Sequence, residues 1–321
     1  MRWYDIQIES SKKVRFTAAP YYPFGVTDPN ALNIEFDILA APFASPQNTS
    51  SFVRIWGVSL ETIGQASDFN GAAIKIYGGM RAGFPLANPS QSGLLVQGKV
   101  WQAFGNWVGT DQSLDLIIVA SGDADPDQQL NISWEWQKGQ PMSQAISSTL
   151  KKAAPSVTQD IQISPSLVLQ ETETGAYQSL SSFANHVLTT SKAIIGGTYP
   201  GVQIVQLGNT FSVYDGTVTQ PAKQIEFNDL IGQPTWIEPQ SIQFNCVLRA
   251  DLKMGQKILM PKTAQQTQTA ESLPRYRDKS AFQGEFIITA MRHVGNFRQP
   301  DGNAWITVIN AASLTPATVG A

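Results

Sequence analysis

His186, His293 and Cys246 are the only imidazole and thiol groups in the 321-residue chain. A structural zinc site needs four Cys or His ligands, so all three together still fall one short. Cys246 lies in Ile242-Gln243-Phe244-Asn245-Cys246-Val247-Leu248, on the alternating face it shares with Ile242, Phe244 and Leu248. That is the setting of an inert core thiol, and a single cysteine excludes an intramolecular disulfide. His186 stands beside Phe183 and Val187 at helical spacing, as a boundary histidine does. Asp123, Asp125 and Asp127 imitate the opening of a calcium loop. However, Gln128 takes the place of the required Gly, and position twelve falls on Trp134.

The phosphate and nucleophile motifs are also missing from the sequence. No Gly-rich loop ends in Lys-Ser/Thr, no GxGxxG follows a strand pattern, and there is no GxSxG elbow. Scattered carboxylates leave a glycosidase pair open, and eight tryptophans could line a sugar groove. Yet Trp56, Trp101, Trp134, Trp136 and Trp305 all sit in strand-like patterns, where core or interface packing is the default. The expectation is a non-enzymatic protein with no catalytic, cofactor-binding or metal-binding residues.

Composition agrees with that direction. At 42% hydrophobic and 15% charged residues, the chain is globular, and its length suggests two or three domains. Much of the surface must then be neutral and polar, which suits burial in an assembly. A net charge of −3 gives no basic field for sequence-independent nucleic-acid binding. The start, Met1-Arg2-Trp3-Tyr4-Asp5, lacks the apolar run of a signal peptide, and no stretch approaches the roughly 18 apolar residues of a membrane span. Synthesis in a cytoplasm without membrane insertion is expected.

The elements follow from periodicity. Leu32, Ile34, Phe36 and Ile38 alternate with Asn33, Glu35 and Asp37, the period of a half-buried strand. Strands are also predicted at 52–58, 72–77, 94–104 and 114–120, separated by turn residues such as Gly78-Gly79 and Gly105-Asn106. A strand at 132–136 precedes a helix opened by Pro141, with the stripe Met142, Ala145, Ile146, Leu150 and Ala153. A second helix is read from Tyr177, Leu180, Phe183, Ala184, Val187, Leu188 and Ser191, ending at Gly196-Gly197, and a hairpin crosses Gly208-Asn209. Strand patterns return at 242–248, 257–260, 285–292 and 304–310, interrupted by a long polar loop at 262–280. The fold class is therefore mainly β with an α/β insert. Two tube-like β-barrels, 1–128 and 223–321, flank a smaller α/β middle region, 129–222.

The two β regions also resemble each other. Gly98 begins a strand that meets Gly105-Asn106, with Asp111 five residues after the Asn. Gly284 begins one that meets Gly295-Asn296, with Asp301 at the same distance, and Ala120-Ser121 and Ala312-Ser313 follow the final strands. Either a repeat or ordinary hairpin chemistry produces such matches. If it is a repeat, the two Gly-Asn pairs should mark equivalent turns.

Several stretches in order resemble the hub proteins of phage tail baseplates, especially those of contractile tails. They are Val53 through Thr62 (VRIWGVSLET), followed by Ala73-Ile74-Lys75-Ile76-Tyr77-Gly78-Gly79 and 94–100. Next come Leu230-Ile231-Gly232-Gln233-Pro234, then 242–248 and Leu252-Lys253-Met254-Gly255-Gln256-Lys257-Ile258. The last is 284–293 with Gly295 and Trp305-Ile306-Thr307, similar to a closing "H-x-G … W-x-T" strand pair. Asn296 departs from the Asp that often follows that Gly. The resemblance implies a homotrimeric ring whose six barrels match a sixfold tail tube while the other face meets a threefold spike. It implies as partners the central spike protein and tail-tube or tube-initiator proteins. Tape-measure and baseplate wedge proteins are further implied partners, with DNA only in transit through the pore. The implied location is the virion tail baseplate, assembled in the host cytoplasm. A spike-hub component of a type VI-like or non-contractile apparatus is the nearer alternative, although the chain ends soon after its last strand without a β-helical spike. A glycan-binding or glycan-cleaving tail protein is the farther one.

Overall fold

A computed structural model describes residues 2–10, 13–18, 31–45, 51–80, 88–119, 131–197, 199–207, 209–218, 221–238, 241–261 and 284–313. The expected loop at 262–280, the Asp123–Asp127 run and Ala120-Ser121 lie outside them.

Seven strands make the first β unit: β1 (Arg2–Glu9), β2 (Lys13–Thr17), β3 (Ile34–Ala40), β4 (Ser51–Trp56), β5 (Ala73–Met80), β6 (Gly93–Val108) and β7 (Asp111–Val119). A short helix, α1 (Leu60–Gly64), and a 3-10 turn at Ala66–Phe69 link β4 to β5. Their alternating apolar residues, among them Tyr4, Ile6, Ile34, Phe36, Val53, Ile55, Val100, Leu116 and Ile118, close one core. Period-two alternation sends these residues to one face, where burial supplies the driving force.

The middle region has a core of its own. It holds β8 (Ile132–Trp136), α2 (Met142–Ala153), β9 (Thr158–Gln162), β10 (Glu173–Tyr177), α3 (Leu180–Ile195), β11 (Gln203–Leu207) and β12 (Thr210–Tyr214). Pro141 caps α2, which buries Met142, Ala145, Ile146 and Leu150. Ser179 and Ser182 form a reciprocal capping box that starts α3 at Leu180. Tyr177 therefore belongs to β10, not to the helix its spacing suggested.

The second β unit comprises β13 (Lys223–Gln224), β14 (Thr235–Glu238), β15 (Ser241–Val247), β16 (Lys257–Leu259), β17 (Glu285–Asn296) and β18 (Trp305–Ser313). The two β units are one hydrogen-bonded sheet, because β17 pairs with β3 from Met291↔Ala40 to Asn296↔Glu35. Trp305 of β18 and Leu248 lie in the core of the first unit. The Trp305 ring meets Phe36 edge-on at 5.0 Å.

Strand order repeats between the units. The first runs β3-β4-β7-β6-β5-β1 and the second β14-β15-β18-β17-β16-β13, each in the same sequence order. Four of the five neighbour pairs agree in direction. The exception is β13–β16, a two-residue parallel pair where β1–β5 is antiparallel.

Residue anchors fix the alignment. On β6 the ladder to β7 jumps from Val100 to Gln102, and on β17 the ladder to β18 jumps from Ile288 to Ala290. These are one-residue bulges at Trp101 and Thr289. Gly71 donates to the Val100 carbonyl, and the Val100 amide to Ala72. Gly255 likewise donates to Ile288, and the Ile288 amide to Gln256. Both glycines have φ near +77°, at +78° and +75°, a region that favours glycine. The amides of Gly57 and Leu248 make a further equivalent pair, donating to Gln112 and Trp305.

This alignment corrects the anchors read from sequence. Aligned on the bulges, Gly105 matches His293 and Gly295 matches Trp107, so the two Gly-Asn pairs are offset by two residues. Neither pair is a turn. Gly105-Asn106 lies inside β6, and Gly295-Asn296 closes β17. Gly98 does not begin β6, which starts at Gly93.

Candidate assembly surface

The thiol and the two imidazoles are buried or paired. Cys246, Thr307 and His293 lie opposite one another on β15, β18 and β17, all inside the fold. Burial pushes the Cys246 thiol up to about 12 and the His293 imidazole down to about 4. His293 Nδ1 meets Thr307 Oγ1 at 2.9 Å, and Thr307 Oγ1 accepts from the Arg249 amide at 3.0 Å. The line is a satisfied core network without a reactive thiolate. His186 sits at 2.5 Å from Glu173 Oε1, which also accepts from Trp134 Nε1 at 2.9 Å, so it braces α3 against β8 and β10.

Arg249 is 2% exposed, and three carboxylate contacts hold it. Its Nε and Nη2 donate to Asp251 at 2.8 Å each, and Nη1 donates to Asp229 at 2.8 Å. Burial alone would raise the Asp251 pKa, but hydrogen bonds from Arg249 and Lys223 hold it below the usual value. A buried cation fully met by acceptors is a positioning device. Gln91 also donates to Asp229 at 2.8 Å, which ties the first unit to the second. Among the described residues, no group of three or more His, Cys, Asp or Glu could hold a metal ion. Among them, too, no helix is long and apolar enough to cross a membrane.

The outside carries the less ordinary features. On the distal half of β6, Phe104 (41% exposed), Trp107 (62%) and Val108 (76%) face solvent. Ala103 and Gly105 lie beneath the α1 connection: a Cβ on Gly105 would come within 2.6 Å of the Ile63 carbonyl oxygen. Beyond Lys99, β5 no longer pairs with β6, and the Ala103 amide turns to Asn70 Oδ1 at 2.8 Å. The Val108↔Asp111 pair closes a two-residue hairpin over Gly109-Thr110. Alternation then aims the ladder groups of Gly105 and Trp107 away from β7, toward a side where no strand lies among the described residues. At the other end of the sheet, β14 is exposed at all four residues, including Trp236 (40%) and Ile237 (47%).

Sequence reasoning placed Trp134, Trp136 and Trp305 in strand packing, and all three are core residues. It missed the distal part of β6 because it ended the strand at Phe104 and took Gly105-Asn106 for a turn, whereas β6 runs on to Val108. The exposure of Phe104, Trp107 and Val108 follows from β5 starting only at Ala73, opposite Lys99, which is a matter of pairing and not of pattern.

No protein-family model matches the chain, and no curated protein does. Solved structures do. The 43 kDa tail protein of prophage MuSo2 from Shewanella oneidensis aligns over 96% of both chains at 8% identity, with a TM-score of 0.54. A tail protein from Neisseria meningitidis MC58 aligns over 97% of this chain and 96% of its own, at 8% identity and a TM-score of 0.49. This chain has the fold of the MuSo2 tail protein along nearly its whole length.

Proposed function

We propose that this chain is a structural subunit of a phage tail baseplate hub, in which three copies form a ring and join the sixfold tail tube to the threefold central spike. The repeated strand order carries the reading, since two like β units per chain allow three chains to offer six like surfaces. The fold shared with a prophage tail protein supports it, as do the exposed apolar residues on the strands β6 and β14. The two β units and the middle unit, with boundaries near 128 and 222, are domains of this subunit. The ring acts by shape and edge complementarity and catalyses no reaction. Its partners are the spike, the tube or tube-initiator proteins, and the tape-measure and wedge proteins. DNA passes through the pore at ejection, and the subunit resides in the virion after assembly in the host cytoplasm.

A reconstruction of the particle tests this directly. Three copies around the axis, with both β units facing the tube, is the expected result. One copy or six copies would overturn it.

A further inference from the structure

Two contacts between the β units lie at the ends of one buried polar line. At the first, β17 lies on β3: His293 faces Ile38, and the Phe297 amide donates to the Ile34 carbonyl at 2.9 Å. At the second, the Gln91 carbonyl of the first unit accepts from the Ala250 amide at 2.7 Å. The Gln91 side chain donates to Asp229 at 2.8 Å. Between these ends stand His293, Thr307 and Arg249, which are 4%, 0% and 2% exposed. His293 Nδ1 lies 2.9 Å from Thr307 Oγ1, the Arg249 amide donates to that oxygen at 3.0 Å, and Arg249 Nη1 donates to Asp229 at 2.8 Å.

Thr307 has one hydroxyl proton and two acceptors for it, His293 Nδ1 at 2.9 Å and the Arg249 carbonyl at 3.3 Å. The shorter contact gives that proton to a neutral His293. A protonated imidazole donates at both nitrogens, so the Thr307 proton must then turn to the Arg249 carbonyl. We infer that His293, Thr307 and Arg249 form a proton-sensitive latch, which holds both contacts between the β units and releases them in one step. The latch lies inside one chain and goes beyond the ring reading. A charge on His293 has nothing to balance it. Ile38 and Thr307 face it from the neighbouring strands, and Cys246, opposite Thr307 on β15, is held as the neutral thiol by burial. Arg292, Asp37 and Glu35 lie on the other face of β17 and β3. Asp229 and Asp251 are engaged by Arg249, and Asp251 by Lys223 as well. A second buried cation in this line is costly, and opening the contacts to water relieves it.

Hydrogen exchange on the full chain tests the latch at the Phe297 and Ala250 amides, one in each contact. With His293 at its ordinary 6.5 when open and about 4 when closed, protection at both should fall roughly 20-fold between about pH 7 and about pH 5. His293→Asn keeps an acceptor for Thr307 but takes up no proton, so the fall should vanish. Gln91→Ala breaks only the far end of the line. At neutral pH it should lower protection at Phe297 as well as at Ala250, each by roughly twofold to tenfold. The β1–β5 ladder is the reference and should keep its protection throughout. A fall at Phe297 without one at Ala250 overturns the latch, as does a Gln91→Ala effect confined to Ala250. So does a fall that persists in His293→Asn. An equal fall in the β1–β5 ladder also overturns it, because the units then part only by unfolding together.

Discussion

The two β units share a strand order but differ in what holds their margins. The first has an eight-residue β1–β5 ladder, an extra strand in β2, and a core that takes in Leu248, Phe297 and Trp305 from the second. The second closes its corresponding margin with a two-residue parallel pair and has the smaller core. It compensates by leaning on the first unit: β3 completes β17, and Trp305 reaches across to donate to the Gly79 carbonyl at 3.2 Å. A repeated fold therefore need not be two repeated stabilities. The second unit depends on the junction, and the first supplies it.

The largest expected effect breaks that dependence. Trp305→Ala removes a 2%-exposed ring between Phe36 and Phe297 and should cost about 3–5 kcal/mol in urea unfolding. If the units are coupled as described, the transitions of both shift together. A second unit that unfolds at its former midpoint would show that it stands alone. In the middle unit, Phe183→Ala or Leu180→Ala should cost about 2–5 kcal/mol while leaving the β units intact. His186→Ala should cost far less, because its partner Glu173 is still met by Trp134.

Acid should weaken the same junction, because His293 lies on β17 opposite Ile38 of β3. His293 is buried neutral, with its pKa lowered from 6.5 to about 4 by burial. The unfolded chain takes up the proton first, so stability is complete above the unfolded pKa and falls as pH drops from 6.5 toward 4. A difference of that size corresponds to about 3 kcal/mol. Unfolding free energies measured across that window should show the slope, and His293→Asn should flatten it. An unchanged slope in the variant would assign the acid sensitivity to other groups.

How much of this was legible in the sequence depended on whether the signal was periodic. β3 and β15 were found because Ile34, Phe36 and Ile38, and Ile242, Phe244 and Cys246, alternate cleanly and are buried. β1 has the same signal in Tyr4, Ile6 and Ile8, yet its strand went unassigned. β14 has no such signal, since all four residues are exposed and its existence depends on pairing with β15. The repeat was visible as an order of strands but was anchored on the wrong glycines. Gly105 and Gly295 attract attention as Gly-Asn pairs, but each is a glycine because a neighbour presses on it: Ile63 in one case, the Phe36 ring in the other. The equivalent glycines, Gly71 and Gly255, look like ordinary turn residues until their bonds to Val100 and Ile288 are seen. The exposed distal part of β6 was illegible for a similar reason, because β5 starts only opposite Lys99 and that leaves no mark in β6 itself.

The smallest expected effect tests what kind of bond the inner junction is. Arg292 and Asp37 form a two-pronged ion pair across β17 and β3, but their side chains are 54% and 41% exposed. Exposed pairs contribute roughly 0.2–1 kcal/mol, because water screens the charges and two side chains lose freedom. A double-mutant cycle with Arg292→Ala and Asp37→Ala should therefore give a coupling within that range, well below the cost of Trp305→Ala. The comparison decides which force carries the junction. A small coupling means that buried Phe36 and Trp305 hold β3 on β17, while the ion pair chiefly fixes register. A coupling of several kcal/mol would mean that the inner junction is electrostatic. Added salt would then screen the pair and loosen the junction.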